Sequence, residues 1–501
     1  MRRARRERTC SGQEPAGLRR RLTVACVGLG LFSVALDTTV NVALPTIAHA
    51  FGADIAAVQW VILAFVTTNT GLSVGMGSAA DLFSLKRFFL FGLLAYALAM
   101  VLMGFSPSLA ILVGLRVLQG LGASTVNAVG PALVGVAFGR GRRGRALGVA
   151  AGSMAAGTIA ASFGGGILVD RLGWPAIFLG RIPFILAAFG TALVALPDDR
   201  SRAGALPSTG ASRATFDFVG ASALCVALVG LLLGLSLVRS QGLGSPLIGG
   251  LLLGVLAAGA LFLRTERRVP RPALDLRLFG QPTFLAGFLS LFLGYLAAFG
   301  LVWLIFPFYV AEVLGESAGV LGVFLGVMAV CSAVAAPLGG WLSDRTGPER
   351  PVTLATGVLA VALLWFSRVD AGSSALDVAL PIGLVGMALG ALQASTYTLA
   401  LSRVAAERMG TASGAMLLGR STGVVLAVAG FGALVPARTD GFLPELLATG
   451  LGPAAARTEA FVAAFREAFL LGALVAAVAA GISLLAWRRQ AAVSEQDAGD
   501  A

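Results

Sequence analysis

The chain has 501 residues, of which 57% are hydrophobic and only 12% charged, with a net charge of +12 and a mean hydropathy of +0.88. Ordinary soluble domains run at roughly 45 to 50% apolar and about 25% charged residues, so this composition excludes a soluble protein and points to one embedded in a bilayer. Apolar segments of about 20 residues recur along most of the length; each can cross a hydrocarbon core as a helix, and they lack the alternation that the strands of a membrane barrel require.

In chain order, helical spans are predicted at 22–46, 57–77, 88–105, 109–131, 146–168, 175–196, 217–238, 246–263, 283–308, 318–342, 352–368, 379–402, 414–435 and 467–487, about fourteen in all. The expected fold class is an all-α integral membrane protein. The basic opening "MRRARRERTC" precedes an apolar run that is too long for a signal peptide and lacks its small-residue cleavage pattern, so 22–46 is read as an uncleaved first span.

Arginines set the expected orientation. Of the 37 Lys and Arg residues, 28 fall on the side that holds the N-terminus, 6 on the opposite side and 3 within spans. The side rich in basic residues is the cytoplasmic one by the positive-inside rule, which places both termini in the cytoplasm of a multi-pass protein of the cell membrane. Loop arginines such as those of "RGRRGR" (140–145) face anionic lipid on this reading, so no nucleic-acid partner is expected.

Several chemistries are excluded. The only lysine, Lys86, follows Leu85 and cannot close a phosphate-binding loop, which argues against a nucleotide-driven pump. The only histidine, His49, sits beside the outer end of the first span, and the four cysteines Cys10, Cys26, Cys225 and Cys331 are scattered. No metal, cofactor or enzymatic role is expected from such an inventory.

Two loops repeat. "GSAADLFSLKR" (77–87) aligns without gaps on "GWLSDRTGPER" (340–350), pairing Gly77 with Gly340, Asp81 with Asp344 and Arg87 with Arg350. The displacement amounts to about eight spans, which two related six-span halves with two extra spans between them would give; transporters are commonly built from such repeats. The organisation expected is a basic tail over 1–21, a six-helix half over 22–196, linkers and two extra helices over 197–282, a second six-helix half over 283–487 and a tail over 488–501.

Polar residues inside the spans are few and concentrated. Of 25 acidic residues only Asp37 lies deep in a span, where a charge costs at least about 2.5 kcal/mol and therefore needs a cavity or a partner. Ser33, Asp37 and Asn41 follow at helical spacing and form one expected stripe. The three asparagines of the chain, Asn41, Asn69 and Asn127, all fall in spans, Arg116 and Gln119 share the fourth span with Asn127, Gln393 and Tyr397 lie one turn apart, and Arg420 follows in the thirteenth span. Two readings are open for Asp37: a fixed ion pair with Arg116, or a proton site. Burial favours the neutral carboxyl and a nearby guanidinium the charged one, so the second reading lets Asp37 bind and release a proton as access alternates.

These residues resemble a known family, the fourteen-span drug:proton antiporters of the major facilitator superfamily. "LDTTVNVALP" (36–45) is similar to its first-span signature and "RVLQGLGA" (116–123) to its fourth-span motif, while "GWLSDRTGPER" resembles the loop motif that gates the conformational switch; "WPAIFLGRIPF" (174–184) and "GTASGAMLLGRSTG" (410–423) resemble further segments. The sequence departs from the family at Leu82, Ser84 and Leu85 of the first loop motif, at Ala161-Ser162 where a Gly-Pro pair is usual, and at Arg181 where asparagine is frequent.

The resemblance implies a proton-coupled exporter of small amphipathic or cationic organic compounds, working by alternating access as a monomer in the bilayer. Asp37 would be the proton and cation site with Arg116 as its modulator. Ser33, Asn41, Asn69, Gln119, Asn127, Gln393, Tyr397 and Arg420 would line the substrate cavity. Gly77, Asp81, Lys86, Arg87, Gly340, Asp344, Arg345, Gly347 and Arg350 would form the gating loops. Export of an endogenous metabolite or lipid precursor, and a non-transporting sensor or assembly factor on the same scaffold, are the alternatives.

Overall fold

The computed structural model describes residues 16–196, 245–266 and 276–499, apart from 83, 406 and 407, together with six isolated positions between 223 and 234. A bilayer core offers no water to backbone N–H and C=O groups, so spanning segments must satisfy them internally as helices. Among the described residues twelve helices are long and apolar enough to cross a membrane.

Six of them precede the central segment: α1 (Arg21–Phe51), α2 (Ile55–Ser73), α3 (Leu85–Gly104), α4 (Leu109–Val134), α5 (Gly148–Leu172) and α6 (Ala176–Ala195). A shorter apolar helix follows, α7 (Pro246–Glu266). The other six are α8 (Pro282–Val313), α9 (Ala318–Thr346), α10 (Glu349–Phe366), α11 (Ala375–Leu401), α12 (Thr411–Ala448) and α13 (Pro453–Arg488).

Twelve of the fourteen expected spans are met by these helices, and the eighth coincides with α7, whose apolar stretch is Pro246–Phe262. The expected span over 217–238 lies almost entirely outside the described residues, as do residues 1–15 of the tail over 1–21 and most of the linkers. A larger correction concerns the segment between the last two spans. Residues 436–466, expected as a loop, are helical except for a short break after Ala448, so α12 and α13 extend well past the apolar cores predicted for them. Hydropathy reports contact with lipid and does not mark where a helix stops; here the helix continues even through Pro436 and Pro444. The segment around "RGRRGR" is likewise helical in its backbone, within a run from Leu109 to Leu172.

Contacts fix the directions of the helices. Gly157 of α5 lies against Phe32 and Ala35 and Gly165 against Thr39, so α5 runs parallel to α1; Gly130 of α4 lies against Val27, while Gln119 reaches back to Asp37, so α4 runs antiparallel to it. The chain therefore reverses between α4 and α5. The end of the molecule at which the chain enters α1 is called the tail end below, and the other, where Phe51 and Ile55 lie, the far end.

Glycines allow the close approaches. A Cβ on Gly122 of α4 would stand 2.7 Å from the Gly92 carbonyl oxygen and the Tyr96 nitrogen of α3, and one on Gly390 of α11 would run into the Ser332 carbonyl oxygen of α9. Small residues replace water-driven burial as the source of helix contact in a membrane, because lipid is as apolar as leucine. Leucines such as Leu94, Leu186 and Leu253 correspondingly face outward.

The first six helices and the last six meet across a seam in the far half of the bundle. Gly166 of α5 faces the Ala318 carbonyl, Gly322 of α9 faces the Ser162 carbonyl, and the Gly319 N–H donates to Asp170 Oδ2 at 2.8 Å. Gln59 of α2 packs against Gly432 of α12 nearby. α8 departs from regular winding at two π segments, Leu301–Ile305 and Tyr309–Val313, on either side of Phe306–Phe308. Pro307, at their centre, has no N–H and crowds the preceding turn, which accounts for the widened winding.

Candidate functional site

Asp37 stands inside a three-residue 3₁₀ turn, Leu36–Thr38, that interrupts α1. Arg116 of α4 holds its carboxylate with both terminal nitrogens: Nη1 donates to Oδ1 at 2.6 Å and Nη2 to Oδ2 at 2.9 Å. Gln119, one turn along the same helix, donates from Nε2 to Oδ1 at 2.7 Å. A second guanidinium arrives from the start of α6, where Arg181 Nη1 donates to Oδ1 at 2.8 Å. One carboxylate thus sits between two arginines, and the cluster carries a surplus of one positive charge.

Most other arms of the cluster are tied down. Arg116 Nε donates to the Val61 carbonyl of α2 at 2.7 Å, and its guanidinium lies 4.5 Å from the centre of the Phe65 ring. Arg181 Nη2 donates to the hydroxyl of Thr39, and its guanidinium stands over Phe178. The Tyr96 hydroxyl of α3 accepts from Gln119 Nε2 at 3.2 Å and donates to the Ser33 carbonyl at 3.1 Å. Arg116 and Arg181 are 1% and 2% exposed, yet the Asp37 side chain keeps 13% of its surface accessible. The carboxylate is therefore the part of the cluster that a proton or a ligand can reach.

Sequence reasoning brings Asp37, Arg116 and Gln119 together, and the structure does the same. Arg181 was legible only as a departure from the family pattern, and Tyr96 and Thr39 gave no signal beyond being polar in a span. The stripe of Ser33, Asp37 and Asn41 does not form as one surface. The Ser33 hydroxyl bonds the Leu29 carbonyl of its own helix at 2.8 Å and is buried, while Asn41 is half-buried beyond the 3₁₀ turn. Tighter winding through Leu36–Thr38 rotates the rest of α1, so Thr39 rather than Asn41 joins the cluster.

Asn69 and Asn127 form a separate contact between α2 and α4, with Asn127 Nδ2 donating to Asn69 Oδ1 at 3.4 Å. A second polar group lies in the other half of the molecule. The Tyr295 hydroxyl of α8 donates to Gln393 Oε1 of α11 at 2.9 Å, and Arg420 of α12 stands 5.0 Å from the centre of the Tyr295 ring. Tyr397 is half-buried within electrostatic range of both Arg420 and Tyr295. Val66 of α2 packs against this cluster, so it faces the first six helices.

The loop motifs lie at the tail end, away from both groups. Gly340, Asp344 and Arg345 belong to the last turns of α9, Gly347 makes the turn with φ +83°, and Arg350 opens α10. Arg345 lies over Trp341 and Arg350 over Trp487. In the first motif Ser84 caps α3 by accepting from the Arg87 N–H, and Lys86 also has a partner. The side chains of Gly77 to Leu82, Asp81 among them, lie outside the described residues.

Comparison with known proteins agrees with this architecture. The sequence pattern described as the Major Facilitator Superfamily matches residues 26–428. The chain is 31% identical over 424 residues to the "Multidrug resistance protein Stp" of Mycobacterium tuberculosis, covering 83% of this chain and 76% of that one. It is 30% identical over 453 residues to the "Tetracenomycin C resistance and export protein" of Streptomyces glaucescens, covering 90% and 82%. Among solved structures, a bacterial homologue of the human lysosomal transporter Spinster, inward-facing and occupied, is similar with a TM-score of 0.64 at 18% identity, over 95% of this chain and 98% of that one. That likeness concerns the fold alone. A pattern spanning most of the chain, relatives at this identity and an all-helical bundle of two six-helix groups show that the protein is a multi-pass membrane transporter, not an enzyme, and belongs to the Major Facilitator Superfamily.

Proposed function

We propose that the protein is an efflux transporter for small amphipathic organic compounds, driven by the proton gradient, with Asp37 as the coupling site. The observation that carries this reading is the Asp37 cluster: a single acid deep in the membrane, partly accessible, held by bonds from α4 and α6 that depend on its charge. Protonating Asp37 removes the charge that binds Arg116 and Arg181, and hydrogen bonds to charged groups are worth about 1.5 to 3 kcal/mol each. α1, α4 and α6 would then be free to shift relative to one another. One proton moved through 100 mV supplies about 2.3 kcal/mol, the size of one such bond. Relatives named for multidrug resistance and for antibiotic export support the direction of transport.

The same reading extends to topology and state. With the basic tail end in the cytoplasm, the seam at Asp170–Gly319 would join the two halves on the outer side. The described helix α7 and the segment over 217–238 would supply the two extra spans of the fourteen-span antiporters. The protein would act as a monomer in the cell membrane with no cofactor beyond the gradient.

The test uses purified protein in liposomes with a pH-sensitive dye inside and an imposed proton gradient. Wild type should release protons when an amphipathic substrate is added, and Asp37→Asn, folded by thermal melt, should not. Normal substrate-dependent flux in Asp37→Asn removes the coupling role.

A further inference from the structure

The charge balance inside the membrane identifies a class of substrate. Charged residues such as Asp170, Glu312, Asp344 and Arg345 cluster toward the helix ends; deep in the apolar cores of the described helices, the carboxylate of Asp37 stands against three arginines, Arg116, Arg181 and Arg420. Both oxygens of Asp37 are engaged by Arg116, and Oδ1 also accepts from Gln119 and Arg181. A cationic compound entering the cavity would have to displace a guanidinium to reach this acid. The expectation of cationic substrates drawn from the family resemblance thus lacks an unoccupied counter-charge at Asp37.

Arg420 is in the opposite situation. It is half-buried in α12, and among the described residues no carboxylate lies within 4 Å of it; its neighbour is the face of the Tyr295 ring, 5.0 Å from the guanidinium carbon. Around it the donors outnumber the acceptors. Because the Tyr295 hydroxyl donates to Gln393 Oε1, the NH₂ end of that exposed amide is the one left to a ligand. The Tyr397 hydroxyl, beside Arg420, has no protein acceptor among the described residues. An aromatic strip continues from this point along α8, with Phe299 stacked on Tyr295 and Trp303 against Phe299. A guanidinium, an amide NH₂ and a phenol next to a run of rings fit an anionic group attached to a flat apolar body.

We infer that the transported compounds are amphipathic anions, bearing a carboxylate or another acidic group that Arg420, Tyr397 and Gln393 receive while the apolar part lies against Phe299, the half-buried ring of that strip, with Tyr295 and Trp303 buried behind it. This rests on the transporter reading above and names the substrate class of the polar group around Arg420. A cation in low dielectric draws an anion strongly and repels a second cation, so the site discriminates by charge before shape.

Equilibrium binding without any gradient separates this inference from the question of proton coupling. The protein is placed in phosphatidylcholine nanodiscs and titrated into fluorescein, which is anionic, and into rhodamine 123, a cation on the same xanthene frame, with fluorescence polarisation as readout. Wild type should bind fluorescein about tenfold or more tightly than rhodamine 123, a difference that requires no variant. Arg420→Gln should weaken fluorescein about tenfold and leave rhodamine 123 within about twofold, with Tyr397→Phe giving a smaller loss of fluorescein alone. Equal or tighter binding of rhodamine 123, equal weakening of both dyes by Arg420→Gln, or binding of neither dye overturns the inference. Loss of fluorescein binding when part of the lipid is replaced by phosphatidylglycerol assigns Arg420 to a lipid headgroup instead, and overturns it too. A failure of the proton-flux assay with this preference intact would remove the coupling role of Asp37 and leave the substrate class standing.

Discussion

Arg181 Nη1 and Asp37 Oδ1 are 2.8 Å apart, a contact that joins the start of α6 to the interrupted middle of α1. It competes for the same oxygen that Arg116 Nη1 holds at 2.6 Å. The two arginines are unequal partners. Arg116 also bonds Val61, Gln119 and the second carboxylate oxygen, whereas Arg181 adds Thr39 and a weak bond to Met100 Sδ at 3.9 Å, and its Nε is buried with no acceptor among the described residues.

Removal of either arginine should therefore cost different amounts. Arg116→Gln strips a buried acid of its main partner, a class of change that costs about 3 to 5 kcal/mol. Arg181→Gln leaves the Asp37–Arg116 pair intact and should cost less, on the order of 1 to 2 kcal/mol. Thermal melts of the two variants in one detergent decide the order, and an Arg181→Gln midpoint below that of Arg116→Gln contradicts it.

Tyr96→Phe removes a hydroxyl that sits between Gln119 and the Ser33 carbonyl while keeping the ring. A buried hydrogen bond is worth about 1 kcal/mol net, and the partners left behind add the cost of being unsatisfied. The expected result is a melting midpoint lowered by a few degrees without loss of fold, read by tryptophan fluorescence. An unchanged midpoint would mean that the Gln119 amide is held by Asp37 and Arg116 alone.

The α5–α9 seam leaves no room for side chains. A Cβ on Gly166 would run into the Ala318 carbonyl oxygen and one on Gly322 would lie 2.6 Å from the Ser162 carbonyl oxygen, both backbone atoms that cannot swing aside. Gly166→Ala and Gly322→Ala should push the halves apart at the far end. Spin labels at Phe105 and Leu376, both exposed near that end, should report a longer distance in each variant than in the parent carrying the same labels. Superimposable distance distributions would show that the seam absorbs the methyl group locally.

Asp170 acts on the same seam through charge. Its carboxylate accepts from the Gly319 N–H at the start of α9, where the helix dipole favours an anion. Asp170→Asn keeps the shape and loses the charge, a change of about 0.5 to 1 kcal/mol, or roughly a two- to fivefold shift toward far-end opening. The same spin-label pair measures it, and because the contact is exposed, added salt should shrink the difference between the parent and the Asp170→Asn variant.

Much of the bundle was legible because lipid imposes a simple rule on sequence: about 20 apolar residues in a row. That rule found α1 through α6 and α8 through α11 to within several residues. It failed at α12 and α13, which continue as helices past their apolar cores and, in α12, through Pro436 and Pro444, because an apolar run marks lipid contact and not the end of a helix. In the site, Asp37, Arg116 and Gln119 could be joined by spacing along α1 and α4 once each helix was placed. Arg181 could not, since its approach depends on how α6 leans on α1, which no local pattern encodes. The 3₁₀ turn was equally hidden: nothing in "ALDTT" announces a change of winding, and the displacement of Asn41 by Thr39 follows from it.

That turn is also a mechanical element. A 3₁₀ residue advances about 2.0 Å and 120°, against about 1.5 Å and 100° for an α-helical one. If Leu36–Thr38 relaxed to α-helical winding, the segment Thr39–Phe51 would be drawn in by about 1.5 Å and turned by about 60° relative to the start of α1. Asp37 is the middle residue of those three, so the group that senses charge is also the axle on which the outer part of its own helix would rotate, carrying Thr39 away from Arg181 in the same movement.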